Sequence, residues 1–265
     1  MTLGKTLLLG LIATVTIFLG LPVARMRKVS VTAKAALNAF AIGVLVFLLI
    51  ETLHKSSDQV ETALTNAHDH LGPWSSFAGK SVLFVGALLV GLVGLTAYEQ
   101  WMRNKRSHLN TNANPAYTTA LLIAIGIGLH NFAEGLSIGQ SAARNDVKLA
   151  VLLVVGFALH NATEAFGIAG PLTGEATVPT WRWLGLMGLI AGGPTFVGTA
   201  IGHSFVNNNL ALLFLALAAG SILYVVIQLI GVALKMGRPM SLAWGVIAGL
   251  ATGLGTDFIL VVAGA

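Results

Sequence analysis

Eight stretches of this chain are each long and apolar enough to cross a bilayer, and they limit what it can fold into. They cover residues 3–24, 33–53, 79–101, 117–141, 148–171, 183–204, 209–234 and 241–263. A helix needs about 20 apolar residues to span the hydrocarbon core. Inside lipid the backbone must satisfy its own hydrogen bonds, as a helix does within one segment. Charged residues make up 9% of the sequence, against about 25% in soluble domains, too few to coat a soluble surface of this length. The expected fold is an all-α membrane protein with eight transmembrane helices, forming one polytopic domain over residues 1–265. Its 31 glycines suit close helix approach in lipid. Trp74, Trp101, Trp181, Trp183 and Trp244 fall near span ends, as interfacial aromatics do.

The chain has no cysteine, which excludes disulfides, thiolate zinc sites and iron–sulfur clusters. Its net charge of +5 reads as membrane topology rather than nucleic-acid binding. The odd-numbered connections hold ten basic residues: Arg25, Arg27, Lys28, Lys34, Arg103, Lys105, Arg106, Arg182, Lys235 and Arg238. The even-numbered ones hold Lys55, Lys80, Arg144 and Lys148. The positive-inside rule therefore places the odd connections in the cytoplasm and both termini outside. No signal-peptide cleavage pattern stands out, the first apolar run from about Leu3 to Val23 is expected to be retained as a span, and no targeting segment is evident. A prokaryotic plasma (inner) membrane, crossed many times, is the expected location.

The second connection, residues 54–78, is expected to be a long outer loop. His54, His68, Asp69 and His70 gather there with Asp58 and Glu61. It reads either as a polar loop or as a weak metal-collecting one. The third connection, "RNKRSHLNTNANPAY", is expected to be polar and mobile.

Polar residues inside the spans carry the chemistry. "GLHNFAEGLSIG" in the fourth span holds His130, Asn131 and Glu134. "ALHNATEAFGIAGPL" in the fifth repeats the spacing with His160, Asn161 and Glu164. Residues i and i+4 share a helix face. If the two helices pack together, two imidazoles and two carboxylates converge. Nitrogen and oxygen donors of this kind suit Zn²⁺, Fe²⁺, Mn²⁺ and Co²⁺. Two carboxylates would neutralise a divalent ion and offset the cost of burying charge. One such pair alone would equally suit a structural hydrogen bond or a proton relay. Two matching triplets favour a metal site. The spacing is not the HExxH of zinc proteases, and the chain lacks a Gly-rich phosphate loop or a serine nucleophile motif.

"HNFAEG" resembles the HNxPEG signature of the ZIP (Zrt/Irt-like) divalent-metal transporters, and "HNATEA" resembles that family's second metal motif. "LGLIAGGPTFVGTAIG" in the sixth span and "AGSILYVVIQLI" in the seventh are similar to family segments. The resemblance implies a transport site between the fourth and fifth helices. His130, Glu134, His160 and Glu164 would be its main ligands, with Asn131 and Asn161 in or beside the coordination shell. It also implies that spans one, four, five and six move as a bundle against the others. The sequence departs from the pattern in four places. Ala133 and Thr163 stand where each motif has proline. Gly193 precedes Pro194 where a Glu is common, which argues for one main ion. Gln228 stands where a carboxylate is frequent, so any ligand there would be neutral.

The expected function is transport of divalent transition-metal cations (Zn²⁺, with Fe²⁺, Mn²⁺, Co²⁺ or Cd²⁺ open) into the cytoplasm. No enzymatic activity and no permanent cofactor are expected. The expected partners are the metal ion as substrate and the lipid bilayer, with a homodimer open and no nucleic acid. A channel-like facilitator, an intramembrane metalloenzyme and a relay-coupled transporter of another solute remain alternatives. Glu51 and His54 could form an auxiliary site or a helix end at the interface. His203 could receive ions or simply sit at the interface. Asp257 is expected to be buried, without a ligand role.

Overall fold

The computed structural model describes residues 1–27, 29–108 and 114–263. Lys28 and the stretch 109–113 of the third connection lie outside the described residues, as do the side chains of Arg103 and Arg106. Helix α1 (Leu3–Thr16) continues as 3-10 turns to Arg25, where Gly20 and Pro22 interrupt α-helical bonding. Then come α2 (Val31–His68), α3 (Trp74–Leu89), a π-helical stretch (Val90–Gly94) and α4 (Leu95–His108). Helices α5 (Pro115–Ala143), α6 (Val147–Ala169), α7 (Trp181–Ser204), α8 (Asn208–Lys235) and α9 (Pro239–Ala263) follow. No strand occurs among the described residues.

These elements make eight candidate spans, with α3, the π-helical stretch and α4 together forming the third. The fourth and fifth spans are thus α5 and α6. Most helix starts carry a side-chain cap. Ser30, Asn114, Asp146, Thr180 and Asn207 each accept a backbone N–H from the first turn that follows. Pro115 opens α5, where its missing N–H costs nothing.

The second connection departs from expectation. Residues 54–68 are not a loop: α2 runs unbroken for 38 residues, about 57 Å at 1.5 Å per residue. The hydrocarbon core is about 30 Å thick, so much of the helix continues beyond one bilayer face. The chain turns only at 69–73, where His70 has a positive φ of 59° and Pro73 precedes α3. Residues 54–68 contain neither glycine nor proline. Their polarity ends the membrane segment without ending the helix. The metal-collecting reading gains no support from this geometry. His54 and His68 lie about 21 Å apart along the axis, and no group of three or more His, Asp and Glu side chains poised for an ion occurs among the described residues. Among the described residues His68 meets Asp69 alone, at 3.0 Å and well exposed.

Contacts join α1, α5, α6 and α7 to one another and α2, α3, α8 and α9 to one another, but the two sets are not separate, since α5 packs against α8 more extensively than against α6. The α5–α7 seam is the tightest. A Cβ on Gly135, Gly139, Gly198 or Gly202 would run into backbone atoms of the opposing helix, so both helices approach through small residues spaced four apart. Across the two groups α5 meets α8, where the Ser221 hydroxyl donates to the Gly126 carbonyl at 3.0 Å.

The ends of the bundle are distinct. At one, the Gly174 N–H donates to the Met26 carbonyl, Lys34 pairs with Glu175 at 3.8 Å, and the Arg25 guanidinium donates to the Pro179 carbonyl. That end gathers the first and fifth connections. At the other, the Met1 amine donates to the Ala142 carbonyl, and Val261 shares a cavity wall with Arg144. Met1 and Val261 therefore lie at the same end, as an even number of spans requires.

Candidate metal centre

Neither site helix is broken at its motif. With Ala133 and Thr163 in place of proline, α5 and α6 run continuously through the triplets. The Thr163 hydroxyl donates to the His160 carbonyl at 2.7 Å, so it occupies that carbonyl rather than freeing it for an ion. Regular helix geometry keeps His130 and Glu134 one turn apart on one face.

That geometry brings three of the four charged or imidazole groups together. His130 Nε2 lies 3.1 Å from Glu134 Oε1 and 3.7 Å from Glu164 Oε1 across the α5–α6 contact. His160 lies 6% exposed near the same depth, yet no ion pair joins it to these residues among those described. Its ring packs 5.8 Å from Phe157. His130, Glu134, His160 and Glu164 thus line one region of the membrane interior without closing on a common point.

The two asparagines bond outward from this region. Asn131 Nδ2 donates to the Ala191 carbonyl of α7, and Asn161 Nδ2 donates to the Ala13 carbonyl of α1, each at 3.0 Å. Each amide therefore pins its helix to a neighbour and leaves its oxygen behind. Asn131 Oδ1 and Asn161 Oδ1 are both buried without a hydrogen-bond partner. So are both ring nitrogens of His130, Nε2 of His160, Oε2 of Glu134, and both carboxylate oxygens of Glu164. His130 Nε2 sits at ion-pair distance from Glu134 but outside hydrogen-bond geometry.

Eight polar atoms on six residues, all deep in the bundle, make no hydrogen bond, which is far from the usual state of a protein interior, although His130 Nε2 and Glu164 Oε1 lie at ion-pair distance. Each buried group left without a partner costs about 1–3 kcal/mol. Seven of the eight are potential acceptors, counting one lone pair per imidazole, but they do not converge on one point. Imidazole, carboxylate and amide oxygen donors are the mixture that suits Zn²⁺ and its neighbours, but in this arrangement no three His, Asp or Glu side chains among the described residues are grouped to hold an ion.

Two cavities reach the region. One, of about 390 Å³, is lined by Glu51, Lys55, Gln140, Arg144, His160 and Asp257, and lies at the end that carries Met1. The other, of about 20 Å³, touches His130, Glu134, Glu51 and Lys55. Toward the opposite end the packing is closed. A Cβ on Gly167 would touch Leu229, Ile123 and Leu45 at 3.6–3.9 Å, and those three side chains are fully buried.

Other residues fall differently from expectation. Asp257 is not fully buried but lines the larger cavity. Glu51 lines both cavities, whereas His54 is exposed and lines neither. Gly193 does not face the His and Glu cluster. It borders an apolar groove with Leu11, Phe132 and Pro194. Gln228 donates to Glu99 Oε2 at 2.6 Å beside the Tyr224 hydroxyl at 2.9 Å, so its amide is engaged with a carboxylate of α4. Nδ1 of His203 lies 3.3 Å from the Thr6 hydroxyl, linking α7 to α1. Sequence reasoning passed over Lys55 and Gln140. Lys55 follows Glu51 by four residues, a helical spacing that an unbroken α2 would have revealed.

A comparison with curated proteins returns no match. A family model described as "ZIP Zinc transporter" matches residues 51–230, from Glu51 to Ile230, and so spans the whole polar cluster. With eight apolar helices around that cluster and a match over more than half its length, the chain belongs to the ZIP family of zinc transporters.

Proposed function

We propose that this protein carries divalent transition-metal cations, Zn²⁺ foremost, across the plasma membrane into the cytoplasm. His130, Asn131, Glu134, His160, Asn161 and Glu164 form the transport site, and one main ion binds there. The observation that carries this reading is the set of buried, unpartnered nitrogen and oxygen atoms shared by these six residues. The charge bias of the connections supports termini that face outward. The larger cavity then opens to the outside, and the packing of Leu45, Ile123 and Leu229 closes the cytoplasmic side.

In this arrangement the ion sheds water as His130, Glu134 and Glu164 take over its coordination. His160 turns inward from the cavity wall to join them. Release requires the closed side to part. The two helix groups give a natural division, with α1, α5, α6 and α7 carrying the site past α2, α3, α8 and α9. A carrier cycle is favoured over a channel because the cytoplasmic side is filled by tightly packed aliphatic side chains.

The test is Zn²⁺ uptake by purified protein in liposomes with an indicator dye inside. Wild type should give saturable flux, and His130→Ala combined with Glu164→Ala should abolish it. Wild-type flux that survives the double substitution would overturn the site; no flux of any divalent ion would overturn the function.

A further inference from the structure

The larger cavity and the transport site share a charged wall that the triplets do not include. Lys55 Nζ lies 2.5 Å from Glu51 Oε1, one turn along α2. Glu51 and Lys55 are the two charged residues that border both the outer cavity and the small cavity at His130 and Glu134. His160 also lines the outer cavity, and its buried Nε2 has no hydrogen-bond partner.

Charge makes this junction consequential. The outer cavity holds Glu51 and Asp257 against Lys55 and Arg144, so its formal charges cancel. A divalent cation moving inward gains little there while Lys55 holds Glu51. If the ion replaces the ammonium, the balance reverses: Glu51 and Asp257 attract it, and His160 Nε2 offers a nitrogen at the inner edge. Lys55 is able to leave. Its side chain is half exposed, and α2 continues outward for three more turns, so the ammonium can swing toward water without uncovering apolar surface.

We propose that Glu51 is a capture ligand for the incoming divalent cation, and that Lys55 is a resident counter-cation which the ion displaces on its way to the transport site. Lys55 thus acts as a gate of charge rather than of bulk. This inference rests on the transport reading above, and the following experiment separates the two.

Zn²⁺ or Cd²⁺ is mixed rapidly with full-length protein in detergent, and the association rate is followed by an indicator. Lys55→Met should speed association by about 3–10-fold, an effect of the size that local fields produce. The gain should shrink at high ionic strength. Glu51→Gln should slow association by a similar factor, and Lys55→Met should bring a clearly smaller gain in that background than in wild type. Lys55→Arg, which preserves the ion pair, should behave as wild type and reports that the position tolerates change. Bound metal per chain should stay constant throughout, which shows that each variant is folded. Lys55→Met at the wild-type rate, or effects that simply add in the double variant, would overturn the proposal while leaving the transport site standing. Failure of wild type to bind any divalent ion would overturn both.

Discussion

His130 of α5 and Glu164 of α6 approach to 3.7 Å between Nε2 and Oε1, across the contact of two separate spans. Neither Glu164 oxygen has a hydrogen-bond partner, and Glu164 is fully buried. Apart from His130 and the neighbouring Asn131, little engages this carboxylate, and most of its coordinating capacity is open.

Replacing Glu164 with Gln should therefore damage metal binding far more than folding. The loss in affinity should reach at least ~100-fold, since even outer-shell changes cost about 10–100-fold. Calorimetric titration with Zn²⁺ and a thermal unfolding curve on the same preparation check this. Parallel losses in both would mean that Glu164 serves the fold.

Asn161→Leu should cost stability as well as metal affinity. It removes the bond to the Ala13 carbonyl that ties α6 to α1. Interhelical bonds of this kind in membranes contribute about 0.6–1.7 kcal/mol. Stability should fall by that amount in a denaturant titration, with Asn131→Leu behaving alike through Ala191. Unchanged stability in both would remove the pinning role.

The α5–α7 seam should tolerate no added side chain at its closest points. Gly135→Ala would place a methyl against the Thr195 carbonyl, and Gly198→Ala against the Phe132 carbonyl. Forcing such backbone contacts apart should cost about 1–3 kcal/mol and lower the midpoint of thermal unfolding. Gly193→Ala is the control, because its nearest neighbour is the flexible tip of Leu189 at 3.4 Å. Gly193→Glu should add no second ion, since that position borders the apolar groove rather than the site. Two metals per chain in that variant would contradict the placement.

Metal affinity should fall as pH is lowered from 8 to 5. The ligands must be neutral imidazole and ionised carboxylate, so protons compete with the ion and stabilise the empty site. Zn²⁺ affinity independent of pH over that range would count against histidine and carboxylate ligation.

Much of this was legible in the sequence for physical reasons. Spans of apolar residues fix their own bounds, and seven of the eight expected segments agree with the helices to within a few residues at most ends. The triplets stood out because polar groups at such depth need a purpose. What composition alone does not carry is where a helix stops once it leaves lipid. Residues 54–68 are polar, yet α2 passes through them, and this error hid the Glu51–Lys55 pair. Nor does spacing on one helix say which neighbour takes an asparagine amide. That choice depends on α1 and α7, which approach through Gly10 and Gly192 among other contacts. The role of Gln228 was hidden for the same reason, since its partner Glu99 lies 129 positions away in the chain.

The most direct measurement is the position of a bound ion, located by X-ray diffraction at the zinc absorption edge on crystals grown with Zn²⁺. The expected result is one strong anomalous peak between α5 and α6, within about 2.0–2.2 Å of His130 nitrogen and the Glu134 and Glu164 oxygens. His160 would be drawn in from the cavity wall. A peak elsewhere, with none among these six residues, would contradict the account.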